Sequence, residues 1–378
     1  MQPTTSRIQS IDILRGLVMI LMALDHTRDF YSNITFDPLD LTKTNTALFF
    51  TRWITHFCAP IFIFLAGTSA FLYLNKGKTK KQAAQFLWTR GLWLIFIEVV
   101  VVGFAWSFDI TYSYIGLQVI WAIGCSMIFL SILMFLKPIY IGLIGIAIIV
   151  GHNALDNIHA ESFGKLKIVW AILHEQQFFE YSKNRFIGIF YPIIPWIGVM
   201  AAGFWFGTLY KLETMRRKKI LIRLGFVCLL LFIIIRYKNT YGDLNLWLYQ
   251  DSWDKTILAF INCTKYPPSL LFLLMTLSGA FFALAFLENI QNKITQVIMV
   301  YGKVPFFYYI LHIFLINTSA TLGTFLLKSF GDNTHIDWGF GLIGVYTAWI
   351  LIVIALYYPC YWFMQVKQRR KDWWLSYL

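Results

Sequence analysis

The sequence predicts an all-α integral membrane protein, one bundle of about ten transmembrane helices forming a single polytopic domain over residues 1–378. Three observations predict it. Hydrophobic residues make up 58% of the chain and charged residues 13%, with a mean hydropathy of +0.62, well above the balance of a water-soluble domain. The apolar residues gather in runs of about twenty, the length that crosses a hydrocarbon core roughly 30 Å thick. The basic residues gather in alternate connections between those runs, as the positive-inside rule requires.

The runs lie near residues 9–31, 46–75, 84–108, 115–136, 139–155, 186–210, 219–236, 268–287, 304–327 and 341–363. With the N-terminus inside, the inner connections hold Arg7, then Lys76, Lys78, Lys80, Lys81 and Arg90, then Lys137. They continue with Lys211, Arg216 to Lys219 and Arg223, then Lys293 and Lys303, and end with Lys367, Arg369, Arg370 and Lys371. Both termini are therefore expected in the cytoplasm. The longer outer connections, 156–185 and 237–267, are rich in Trp, Tyr, Phe, Asn and Asp, which suits an interfacial belt or a sugar-binding surface.

The net charge of +13 does not indicate nucleic acid, because the cations sit in short runs between apolar segments. The first run ends in Asp25, His26, Arg28 and Asp29 rather than in small residues, so it reads as a retained helix and not a cleavable signal. Cys58, Cys125, Cys228 and Cys360 fall inside apolar runs and only Cys263 lies in a connection, which provides neither a disulfide framework nor a metal-ligand spacing. No metal is expected. The absence of an internal repeat weakens an inverted-repeat transporter reading.

Ionisable residues within spans mark function, since each costs at least ~2.5 kcal/mol in the bilayer centre. The first run, IDILRGLVMILMALDHTRDF, holds Asp12, Arg15, Asp25, His26, Arg28 and Asp29. Arg15 and His26, eleven residues apart, return to within ~20° of one helix face and stand roughly 16 Å apart along it. That face is expected to line a polar cavity, with His26 near its outer end, or else to pair with other helices in packing. The second run carries Arg52 and His56 one turn apart, followed by Pro60, which is expected to kink the helix near His56. Glu98, Gln118, His312 and Asn317 add polar groups to later spans and read as packing or hydrogen-bonding residues.

The stretches RIQSIDILRGLVMILMALDHTRDF, DLTKT, FFTRWITHFCAPIFIFLAGTSAFL and the terminal KQRRKDWWLSYL resemble the bacterial branch of the heparan-alpha-glucosaminide N-acetyltransferase catalytic-domain family. The segment YGKVPFFYYILHIFLIN is similar to a late helix of the membrane acyltransferases of family 3, whose first helix also carries an arginine, ten residues and a histidine. The resemblance implies a multi-pass acyltransferase of the bacterial plasma membrane, taking an acetyl group from cytoplasmic acetyl-CoA to an extracytoplasmic glycan. In the heparan family the histidine considered catalytic follows the first helix. No histidine of this chain lies between Tyr31 and Asn45, so the family 3 pattern assigns the base to His26.

A neutral histidine suits the deprotonation that acyl transfer requires. Asp25 or Asp29 would orient or balance His26, Arg52 or Arg28 would stabilise developing negative charge, and His56 is the alternative base. Arg15, with Arg28 and the inner clusters, would hold the phosphates of CoA, although topology alone accounts for the lysines. The rival reading is a proton-coupled transporter or channel in which Asp25, His26 and His56 form a relay. The oligomeric state is left open.

Overall fold

The computed structural model describes residues 8–330, 339–370 and 372–377; Arg7 and Lys371 lie outside them. The helices are α1 (Gln9–Tyr31), α2 (Thr46–Trp53), α3 (Cys58–Leu74), α4 (Lys80–Ile97) and α5 (Gly103–Ser107). After strand β1 (Tyr114–Leu117) come α6 (Val119–Leu133), α7 (Pro138–Gly151) and α8 (Lys167–Leu173). Strands β2 (Gln177–Ser182) and β3 (Arg185–Ile189) lead to α9 (Ile193–Phe206), α10 (Thr214–Lys238) and α11 (Trp253–Ile261). The chain closes with α12 (Leu270–Leu287), α13 (Lys293–Lys303), α14 (Pro305–Phe330) and α15 (Leu342–Arg369).

Each of the ten apolar runs contains a helix, and among the described residues eight helices are long and apolar enough to cross a membrane. The remaining two runs hold the charged α1 and α6, which is only 15 residues long. Two runs begin differently from expectation. Residues 114–117 and 185–189 are strands, paired in parallel, and β2 joins β3 as a hairpin, giving a three-stranded sheet in the order β1-β3-β2. Short aromatic and β-branched stretches of this kind cannot be told from helix by periodicity. Asn184, at φ 57°, supplies the left-handed residue of the two-residue turn.

The second run is broken where Pro60 predicts a disturbance. A 3₁₀ turn, Ile54–Phe57, carries His56 between α2 and α3, and the proline, lacking an N–H, leaves the His56 carbonyl without its helical donor. The third run contains a single π-helical turn, Glu98–Val102. The Glu98 carboxylate there accepts from the Gln118 and Trp121 backbone N–H groups, at 3.3 and 3.0 Å, and so satisfies donors at the start of α6.

α1 is the central helix, packed against α3, α12, α13, α14 and α15 and buried on most of its circumference. Its approach to α13 is very close. A Cβ on Gly302 would run into the Asp12 carbonyl oxygen, and one on Gly16 into that of Ile298, so the two backbones touch only because both positions are glycine. The outward faces of α10 and α15 expose Phe226, Leu230, Ile233, Ile350, Leu351 and Ile354, as helices bordering lipid do.

A buried ion pair ties the bundle at one end. Arg217 of α10 grips Glu288, with N···O distances of 2.8 and 2.7 Å, and Ser10 of α1 donates to the same carboxylate. At the other end Arg236 donates to four backbone carbonyls, those of Asn245, Ala259, Phe260 and Asn262, and fastens the long 239–262 connection to α10.

Candidate active site

Two cavities follow α1 from opposite ends of the bundle. The first, about 420 Å³, lies beside Ile8 and Lys367, near the ends of the described chain, and carries Asp12, Arg15, Lys76, Arg90 and Lys303 among apolar walls. The second, about 480 Å³, is lined by Asp29, Arg52, Gln118, Gln176, Lys265 and Tyr266, with Asp25 and His26 at its α1 wall. Met22, Phe62 and Val119 line both, so the two chambers share an apolar wall. Arg15 therefore serves one chamber and His26 the other, about 16 Å apart along the same helix.

His26 is held by a partner from α14. Its Nδ1 lies 2.7 Å from Nε2 of His312, and the two rings stack at 4.9 Å with 12° between their planes. His312 Nδ1 lies 3.0 Å from the Tyr308 carbonyl oxygen, which can only accept. The proton positions follow from that acceptor. His312 carries its proton on Nδ1, its Nε2 is then an acceptor, and His26 donates from Nδ1. In the neutral pair the Nε2 lone pair of His26 remains for a proton from elsewhere. Trp106 closes the other side of the imidazole edge-on, at 4.9 Å.

Adjacent to His26, Asp25 faces a different helix, as the 100° step along α1 requires. Arg52 of α2 meets both of its oxygens, at 2.6 and 2.5 Å, and Arg28 of α1 meets it at 2.8 Å while also reaching Asp29 at 2.7 Å. The cluster is nearly excluded from solvent, with side-chain exposures of 6% for Arg28, 11% for Asp25 and 16% for Arg52. Such a pairing locks α2 to α1 and sets the second cavity's wall.

The loop before α12 supplies Lys265 and Tyr266 to the same cavity. Burial alone would raise the Tyr266 phenol, but Lys265 and Arg52 outweigh it and hold the group below its ordinary range. The Lys265 ammonium stands 5.0 Å from the Tyr266 ring centroid. Asp243 braces this loop by accepting from Thr264 and Ser269.

Of the residues singled out from sequence, Asp25, His26, Asp29 and Arg52 come together at the second cavity and Arg15 lines the first. Arg15 donates to Ser69 at 2.9 Å and lies near Asp12 and the Gly302 carbonyl, both at 3.4 Å. Arg28 lines neither chamber; it sits at the Asp25 end of α1, away from the first cavity. His56 is fully buried, tilted against Phe272 at 5.3 Å, and lines neither cavity. Of the basic clusters, Lys76 lines the first cavity, Lys80 caps the Phe135 and Leu136 carbonyls, and Arg217 is committed to Glu288. Asn317 donates to the Ala105 carbonyl at 2.9 Å, a packing bond as expected.

Three site residues were not assigned a chemical role by sequence reasoning. In the sequence His312 reads as a packing or hydrogen-bonding residue, and the signal that sets it apart is a histidine inside an apolar run, in the segment similar to the family 3 acyltransferases. Lys265 and Tyr266 lay in a long aromatic connection with no pattern to separate them from an interfacial belt.

No curated protein matches the chain. The family model for heparan-alpha-glucosaminide N-acetyltransferase, catalytic, matches residues 7–234, more than half of the chain, from α1 with Arg15 and His26 through most of α10. The chain thus belongs to the heparan-alpha-glucosaminide N-acetyltransferase catalytic-domain family and is a transmembrane acetyltransferase.

Proposed function

We propose that the protein moves an acetyl group from acetyl-CoA, bound from the cytoplasm in the first cavity, to a hydroxyl or amine of a glycan in the second, with His26 as the general base. The observation that carries this reading is the pair of chambers on one helix, cationic at the terminal end and holding a hydrogen-bonded histidine at the other.

Arg15, Lys76, Arg90 and Lys303 give the first cavity the charge to receive phosphates, and its apolar upper walls suit a pantetheine arm running toward His26. His26 Nε2 takes the proton of the acceptor O–H or N–H as that atom attacks the thioester carbonyl. The tetrahedral adduct then collapses, the carbon–sulfur bond breaks, and the CoA thiol leaves with the proton. His312, through its bond to Nδ1, fixes the ring and its tautomer. Arg52 and Lys265 hold positive charge near the developing oxyanion. The apolar wall of Met22, Phe62 and Val119 keeps the bulk of the donor and acceptor in separate chambers.

The test is purified protein in proteoliposomes supplied with labelled acetyl-CoA on one side and a glycan extract on the other. Label appearing on the glycan, dependent on both, supports the reading. Solute uptake without acetyl transfer would favour the rival transporter.

A further inference from the structure

We propose that His152, Asp156 and His174 form a zinc site that clamps the outer connections, separate from the acetyl-transfer cavities. Their ligand atoms all lie within 4.8 Å of one another, and none of the three lines either chamber. His152 and Asp156 stand four residues apart on the helical turn that extends α7, and His174 caps the end of α8.

Burial makes this cluster costly without a cation. His152 and His174 are each 2% exposed, and the Asp156 side chain is 8% exposed. Neither ring nitrogen of His152 has a hydrogen-bond partner among the described residues, nor has Nδ1 of His174. The Asp156 carboxylate has no lysine or arginine partner among them; its contacts are His174 Nε2 at 3.0 Å and Asn153 Nδ2 at 2.8 Å. Unsatisfied imidazoles facing a buried carboxylate have the chemistry of a metal-ligand set.

The donors select the metal. Two neutral imidazoles and one carboxylate, with a water in the fourth position, suit tetrahedral Zn²⁺. Tetrahedral ligands at about 2.0–2.1 Å from zinc lie roughly 3.4 Å apart, near the separations of up to 4.8 Å found here. The outer shell is already in place. Asn153 donates to the second Asp156 oxygen, and its own carbonyl accepts from the Leu270 backbone N–H, at 2.9 Å. A bound ion would therefore join α7, α8 and the start of α12, just after the loop carrying Lys265 and Tyr266.

The experiment uses untagged full-length protein, stripped with a chelator and dialysed against Zn²⁺, with metal counted by mass spectrometry and the melting temperature followed. About one zinc per chain and a rise of several degrees are expected, both lost in His152→Asn and in Asp156→Asn. In these variants acetyl-CoA still raises the melting temperature, which shows that they fold. Less than about a tenth of an equivalent of zinc in monodisperse wild-type protein would overturn the site. So would zinc retained in both variants, or zinc lost on His26→Ala, which would place the ion at the His26–His312 pair.

Discussion

The Nε2 lone pair of His26 depends on a proton in the neighbouring ring, on Nδ1 of His312, and the two histidines are expected to fail differently. His26→Ala removes the base, and transfer falls by a hundredfold or more while acetyl-CoA still raises the melting temperature. His312→Ala leaves the base but frees its ring and tautomer. A loss of roughly tenfold in kcat, with little change in KM for acetyl-CoA, is expected from a positioning role. His312→Gln, which can accept from His26 Nδ1 through its amide oxygen, recovers part of that loss. Equal activity in His312→Ala and wild type would reduce the pair to packing. The charge cluster beside it makes a prediction about stability. Asp25→Asn leaves Arg28 and Arg52 buried without their shared carboxylate, a change worth about 3–5 kcal/mol when a buried pair is broken. Thermal unfolding of the variant measures it, and an unchanged melting temperature would show that solvent reaches the cluster.

At the scale of elements, the cationic cavity depends on how closely α13 approaches α1. Gly302 touches the Asp12 carbonyl and precedes Lys303, so the same crossing that packs the helices also places a cation across from Arg15. Gly302→Val forces the helices apart and is expected to destabilise the protein by at least about 1–3 kcal/mol, the range of core overpacking. It also moves Lys303. The measurable result is a lower melting temperature together with a weakened response to acetyl-CoA, whereas Gly341→Ala, before α15 with open space around it, leaves the acetyl-CoA response unchanged. A Gly302→Val protein with normal acetyl-CoA response would separate Lys303 from donor binding.

For the whole molecule, the ends of the bundle agree with the alternation of charge along the chain. Ser10, Arg217 and Glu288 meet at one end, and Val150 with Tyr241 and Asn153 with Leu270 meet at the other. Reporter fusions after Lys80, Arg217, Lys293 and Leu378 are expected to read cytoplasmic, and those near Glu161, Asp251 and Asp332 external; Leu378 and Asp332 lie outside the described residues. An external reading after Lys293 would break the proposed orientation and put the first cavity on the wrong side for CoA.

The sequence by itself determined the solvent, the helices and the one charged helix face. Twenty-residue apolar runs and the cost of a charge in hydrocarbon are local properties, readable without any neighbour. Hence all ten runs contain helices, and Arg15 and His26 each line a cavity on the face that an eleven-residue spacing predicts. Partners were decided only by the tertiary structure. The hydrogen bond from His26 to His312 spans 286 positions, and Asp25 meets Arg52 across 27. Nothing in a helical period selects such a partner, because it depends on which helices pack together and at what rotation. The same holds for the strands at 114–117 and 185–189, whose stretches are too short and too apolar to choose between helix and sheet until each has the other to pair with. It holds for His152, Asp156 and His174 as well: the first two share a helical turn, but the third arrives on α8, and only folding brings their nitrogens and oxygens around one point.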